Sequence, residues 1–119
     1  MSKYFKPEEF KRCTPACDIS QMDADFLKVL DKVREEAGIP LVLNSAYRSV
    51  AYEKQKGRPG TSSHTKGLAV DIRCNASDTR YKIVQAALAL RVPRIGLGKT
   101  YVHLDTDPDK PQYLIWHYY

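Results

Sequence analysis

Two of the three histidines in this chain stand in settings suited to metal chemistry. His64 lies in the polar stretch Gly60-Thr61-Ser62-Ser63-His64-Thr65-Lys66-Gly67. Asp71 follows on a segment of alternating hydrophobicity, and His103 sits on another such segment far downstream. Two imidazoles and one carboxylate are the ligand count of a catalytic zinc that keeps one position open for water. A zinc held this way draws the pKa of its water toward neutrality and supplies a hydroxide nucleophile. Spacing alone does not fix such a site, because two His and an Asp occur together in many chains. The third histidine, His117, falls in Trp116-His117-Tyr118-Tyr119 at the C-terminus and reads as a surface residue.

The elements that must position these groups follow from hydrophobic periodicity. Residues 1–19 read as irregular, with Pro7 and Pro15 as breakers. Ser20 is the expected N-cap of a first helix, with Asp23 three positions on in the manner of a capping box. Met22, Phe26, Val29, Leu30, Val33 and Ala37 recur at helical spacing, and Gly38 closes the helix. Leu41, Val42 and Leu43 predict a short buried strand ending near Ser45, and residues 51–56 a turn or two of helix. From 68 to 74 the pattern alternates: Leu68, Val70, Ile72 and Cys74 take one face, and Ala69, Asp71 and Arg73 the other. Ser77 is placed as the cap of a second helix reaching Arg91, stopped by Pro93. Gly96 and Gly98 mark a turn region, residues 101–105 a strand, and residues 113–116 a last strand. The pattern predicts one α+β domain over residues 1–119, a small antiparallel sheet backed by helices.

Bulk properties narrow the class. With 119 residues, 43% hydrophobic and 28% charged, the chain has the make-up of a single globular domain with one modest core. No apolar run is long enough to cross a bilayer, so no membrane partner is expected. The first ten residues mix Lys, Glu, Pro and aromatics and lack the apolar stretch of a secretory signal, which predicts a protein cytoplasmic as synthesised. The net charge of +5 is scattered and reads as a solvated, slightly basic surface; it would help approach to an acidic polymer, cell wall or nucleic acid alike, but with no dense basic block and no nucleic-acid motif no nucleic-acid partner is expected. Cys13, Cys17 and Cys74 are odd in number and are expected as free thiols; Cys13 and Cys17 lack the matching pair that a structural zinc would need.

The wording around the histidines goes further. Ser62-Ser63-His64-Thr65-Lys66-Gly67-Leu68-Ala69-Val70-Asp71 matches S-x-H-x-x-G-x-A-x-D in full. Asn44-Ser45-Ala46-Tyr47-Arg48-Ser49 stands upstream, and Gly96-Leu97-Gly98-Lys99-Thr100-Tyr101-Val102-His103-Leu104-Asp105 downstream. Together these resemble the zinc D-Ala-D-Ala carboxypeptidase family of cell-wall peptidases, which includes phage endolysins and shares its fold with hedgehog domains. The resemblance implies one Zn2+ per chain on His64, Asp71 and His103. It implies that Arg48 polarises the scissile carbonyl, a role suited to a fixed guanidinium near a developing oxyanion. It implies a substrate or loop role for Ser62 and a tight turn at Gly67. Tyr101 and Trp116 are candidates to line a cleft. The expected partner is peptidoglycan peptide, the expected state a monomer, and the expected setting phage lysis, with release to the wall after synthesis.

One departure stands out. Many family members carry Glu or Asp three residues before the last His as general base, and here that position is Thr100. On a strand Tyr101, His103 and Asp105 share a face, so Asp105 is the candidate to reach the metal-bound water or to hold His103 from behind. Asp107 is a looser candidate, or both acids simply solvate a turn before Pro108. Two readings follow: a zinc peptidase of stem peptides, as carboxypeptidase or endopeptidase, or a zinc-bearing wall-peptide-binding module impaired in catalysis.

Overall fold

A computed structural model describes residues 2–119. The element order is α1 (Pro7–Lys11), α2 (Ala24–Ala37), β1 (Leu43–Ser45), α3 (Val50–Gln55), β2 (Ala69–Arg73), α4 (Ser77–Ala89), β3 (Arg94–Leu97), β4 (Tyr101–Asp105) and β5 (Leu114–His117). The five strands form one sheet in the order β1-β2-β4-β3-β5. Neighbours are antiparallel except β3 and β5, which run parallel. The α+β architecture is the expected one, with that single parallel pair added. No helix is long and apolar enough to cross a membrane among the described residues.

Several local expectations are corrected. Pro7 does not break the opening stretch; it sits in the first turn of α1, where its missing N–H and fixed φ cost nothing. Glu9 accepts the Lys6 N–H at 2.8 Å, and Phe10 on this short helix is fully buried. The cap of α2 is Asp23, whose carboxylate accepts the Phe26 N–H at 2.9 Å, and Ser20 instead lies in a 3₁₀ turn, Ile19–Gln21, capped by Asp18. Gly38 ends α2 with φ 70°, as its position predicts. Helix α4 begins at Ser77, one residue beyond its cap Ala76, and ends at Ala89 rather than Arg91. The glycine-marked region contains strand β3, and β5 extends to His117.

The reason a glycine sits inside β3 is steric. A Cβ on Gly96 would meet the Trp116 ring at 2.9 Å and the Tyr118 ring at 2.8 Å. The missing side chain lets aromatic rings from β5 and the chain end lie across the sheet.

Alternation sorts the sheet into two faces. Val70, Ile72, Val102, Leu104 and Ile95 are buried in one core with Phe26, Leu30 and Val33 of α2 and Ile83, Ala86 and Ala87 of α4. On the other face the registers line up one row across all five strands: Ser45 opposite Asp71, Asp71 opposite His103, His103 opposite Gly96, and Gly96 opposite Trp116.

The loop before β2 is tied to the start of α2. Gly67 has φ 70°, its carbonyl accepts the Asp23 N–H at 3.0 Å, and a Cβ there would run into the backbone of Gln21, Met22 and Asp23. Backbone cannot yield as a side-chain tip can, and an alanine also resists the left-handed region. Gly67→Ala is therefore expected to cost about 1–3 kcal/mol, read as a lower thermal midpoint and a lower urea midpoint. An unchanged midpoint would mean this junction is not held as described.

Candidate metal centre

His64, Asp71 and His103 reach the same point from separate elements. His64 is carried by a 3₁₀ turn, Ser63–Lys66, capped by Ser62, whose hydroxyl accepts the His64 N–H at 3.1 Å. Gly67 then redirects the chain into β2. Asp71 and His103 are a directly opposed pair on β2 and β4. One donor atom from each of the three lies within 4.8 Å of the others, and this is the one such cluster of His, Cys, Asp and Glu among the described residues. Cys13 and Cys74 are buried and Cys17 half-buried, with no disulfide. Burial pushes the Cys13 thiol up to about 12.

The hydrogen bonds select which nitrogens face inward. His64 Nδ1 is 2.7 Å from the Ala46 carbonyl, an acceptor only, so this nitrogen carries the proton. Its Nε2 is left facing Asp71 Oδ1 at 3.5 Å. His103 Nε2 donates to Asp105 Oδ2 at 2.6 Å, and its Nδ1 lies 2.9 Å from Asp71 Oδ1. Each imidazole thus has one nitrogen held from behind by an oxygen and the other aimed at one carboxylate oxygen. That is the arrangement by which a second layer of groups fixes the tautomer of a metal-binding histidine. The donor set fits a zinc ion on His64 Nε2, His103 Nδ1 and Asp71 Oδ1.

Electrostatics fit the same assignment. Burial opposes charge on Asp71, but the His103 and His64 imidazoles facing it outweigh that and hold the carboxyl well below the usual range. Burial likewise opposes a charged His103, and the carboxylates of Asp105 and Asp71 reverse that and raise its pKa.

All eight residues singled out by sequence line one cleft of about 490 Å³: Arg48, Ser62, His64, Asp71, Tyr101, His103, Asp105 and Trp116. Their detailed placement changes some roles. Arg48 donates from Nε to Ser45 Oγ at 2.9 Å, from Nη2 to Asp71 Oδ2 at 3.1 Å and from Nη1 to Glu53 Oε2 at 3.3 Å. Its first partners are therefore protein groups, Asp71 among them. Asp105 is only 1% exposed; one oxygen takes the His103 proton, and the other accepts the Asp107 N–H at 3.1 Å and lies 2.9 Å from Arg94 Nε. It stands behind His103 with both oxygens committed, the second of the two placements expected for it rather than one reaching a metal-bound water. Thr100 is exposed in the turn before β4 and does not line the cleft. His117 is exposed on β5.

The structure adds residues that periodicity does not single out. Asp107 is fully buried rather than solvating a turn: it accepts from Ser63 Oγ at 2.8 Å and from Lys66 Nζ at 3.0 Å, clamping the His64 turn to the end of β4. Glu53, 1% exposed, binds both Arg48 and Arg58. Arg94 stacks on Trp116, its guanidinium carbon 4.8 Å from the ring centre. Pairing of this kind leaves no local periodicity; Ser63 is a variable position inside the motif and Asp107 lies outside it.

A family model described as Peptidase M15 matches residues 3–105, so the chain belongs to the peptidase M15 family and is a peptidase by descent. Among solved structures, it is similar to the Serratia marcescens L-Ala D-Glu endopeptidase ChiX, with a TM-score of 0.60, 17% identity, and 88% of this chain and 89% of that chain covered. At that identity the likeness establishes the shared fold. No curated protein matches the chain.

The Asp107 clamp carries a pH signature. Burial works against its charge, but hydrogen bonds from Lys66 and Ser63 hold the carboxyl below its ordinary value of 3.8. A depressed carboxylate contributes stability that is full above the ordinary value and is lost as pH falls through the lower folded one. In urea unfolding of metal-free protein, Asp107→Asn is expected to cost about 1–3 kcal/mol at neutral pH and less near pH 3. A penalty that stays constant with pH would show that Asp107 is not a charged clamp.

Proposed function

We propose that this chain is a zinc-dependent peptidase of bacterial peptidoglycan stem peptides, cutting within the peptide as an endopeptidase. The observation that carries the zinc site is the convergence of His64 Nε2, His103 Nδ1 and Asp71 Oδ1, each backed by a fixed partner. The wall substrate draws support from the S-x-H-x-x-G-x-A-x-D wording, from the family, and from a fold shared with an L-Ala D-Glu endopeptidase.

Zinc bound here supplies a Lewis acid and an acidified water. The chain's own groups do the positioning. The Ala46 carbonyl and the Asp105 carboxylate hold the outward protons of His64 and His103, keeping the inward nitrogens free as donors. Arg48 fixes Asp71 Oδ2, so that Oδ1 faces the histidines. Burial pushes the Tyr118 phenol up to about 12 and raises that of Tyr101, so both remain proton donors on the cleft wall at neutral pH. Trp116, its ring 5.6 Å from that of His103, walls the site.

The second reading, a zinc-bearing peptide-binding module without turnover, draws on a specific observation: Thr100 stands outside the cleft, and Asp105 and Glu53 have their charges committed to protein partners. Among the described residues that line the cleft, no carboxylate is thereby free to act as base in the usual way.

Metal analysis of zinc-replete protein is expected to give one zinc per chain, with His64→Ala and Asp71→Ala losing it while the fold persists. Absence of zinc would end the metal reading. Asp105→Asn is expected to weaken zinc binding about 10–100-fold through misorientation of His103; unchanged affinity would remove Asp105 from the site. Digestion of purified sacculi followed by mass spectrometry is expected to reveal new internal amine and carboxyl termini. Release of terminal D-alanine alone would make the enzyme a carboxypeptidase, and no cleavage despite bound zinc would favour the binding module.

A further inference from the structure

A second polar basin, of about 350 Å³, shares Arg48, Arg58 and Asp71 with the metal cleft as a common wall. Its other lining includes Arg12, Thr14, Asn44 and Tyr52. Three guanidiniums thus border one basin against a single carboxylate, Asp71, which is already bound to Arg48 and the two histidines. Arg12 belongs to the turn that ends α1, and its exposed side chain has no hydrogen-bond or ion-pair partner among the described residues.

Arg58 is held unlike an ordinary surface cation. Its N–H donates to the Glu53 carbonyl at 2.9 Å, and its Nη1 donates to Glu53 Oε2 at 2.6 Å. Glu53 itself is 1% exposed and also takes Arg48. Burying a carboxylate is costly unless it is paired, and this one is paired twice, to an arginine that orients a zinc ligand and to an arginine at the rim. Arg58 remains 47% exposed, with Nε and Nη2 without a protein partner among the described residues. A guanidinium anchored at one nitrogen and free along its other edge is prepared for a planar, bidentate anion.

We propose that this basin is a subsite for a free carboxylate of the substrate peptide, bound by Arg58 with Arg12 beside it, and that Glu53 is the positioning residue that aims Arg58. The inference rests on the peptidase reading and names its substrate class: an acidic peptide whose carboxylate lies close to the scissile bond. A neutral peptide would leave the arginines unanswered.

The test uses zinc-loaded protein and three synthetic peptides: L-Ala-γ-D-Glu-L-Lys-D-Ala-D-Ala, the same peptide with the D-Glu α-carboxylate amidated, and the same peptide with the terminal carboxylate amidated. One amide is expected to raise KM about 10-fold or more in the wild type, with kcat little changed. Arg58→Ala is expected to raise KM for the parent by a similar factor and to erase the difference between parent and that amide, the non-additivity expected of a direct pair. Arg58→Lys keeps the charge but loses the fork and should recover only part. Glu53→Gln should shift KM in the same direction while zinc content stays at one per chain. If both amides behave as the parent, or if Arg58→Ala weakens all three peptides equally, the subsite is wrong although the peptidase reading stands. If none of the peptides is cleaved, the peptidase reading suffers, and calorimetric binding of the same three peptides still decides the subsite: tighter binding of the acid in wild type but not in Arg58→Ala supports it, and equal binding refutes it.

Discussion

The opposition of Asp71 and His103 across β2 and β4 is the constraint on which the rest of the site depends. Their positions are matched in the antiparallel register, and their side chains meet at 2.9 Å. Because strand faces alternate, a slip of one residue would send His103 into the helix-backed core and bring a valine or leucine out in its place. The apolar face therefore sets the polar one: burying Val70, Ile72, Val102 and Leu104 together puts Asp71 and His103 on the opposite face, where the observed register sets them side by side. The same row continues to Ser45, which accepts from Arg48, and through Gly96 to Trp116. Packing and chemistry are fixed by one alignment.

Charge is handled by pairing at every depth. Asp105 is held by His103 and Arg94, Asp107 by Ser63 and Lys66, and Glu53 by Arg48 and Arg58. Isolated burial of any of these carboxylates would be prohibitive, and removal of one partner would strand the other. The pairs also link segments distant in sequence. Asp107 ties the His64 turn to β4, and Glu53 ties helix α3 to both Asp71's arginine and the rim of the cleft. The histidines can be rigid on a short turn and a short strand because these ties remove their freedom.

Much of this was legible in the sequence, and the failures have physical causes. Helix α2 announced itself by its 3.6-residue apolar stripe and Gly38, and β2 and β4 by alternation, so the placement of Asp71 and His103 could be read directly. The S-x-H-x-x-G-x-A-x-D wording marks His64 and Asp71, and the structure brings both within 4.8 Å of His103. Strand β3 was hidden because Gly96 reads as turn when no neighbour is known; only the rings of Trp116 and Tyr118 crossing the sheet explain it. Helix α1 was hidden because Pro7 breaks helices everywhere except where it stands. Periodicity puts Asp105 on the face of His103 but leaves open whether it points at a metal-bound water or stands behind His103, because that depends on a rotamer and on Arg94 from a strand that periodicity does not show. Glu53, Arg58 and Asp107 act through contacts between elements, which leave no period to read.

The proposed zinc site places a single ion between the inward nitrogens of the two histidines and one oxygen of Asp71. Anomalous diffraction at the zinc edge from crystals of zinc-loaded protein tests it most directly. The expected result is one peak per chain, coordinated by His64 Nε2, His103 Nδ1 and Asp71, with Asp105 still bonded to His103 Nε2. A peak at the cysteines, coordination of His103 through Nε2, or no bound zinc in the cleft would contradict it.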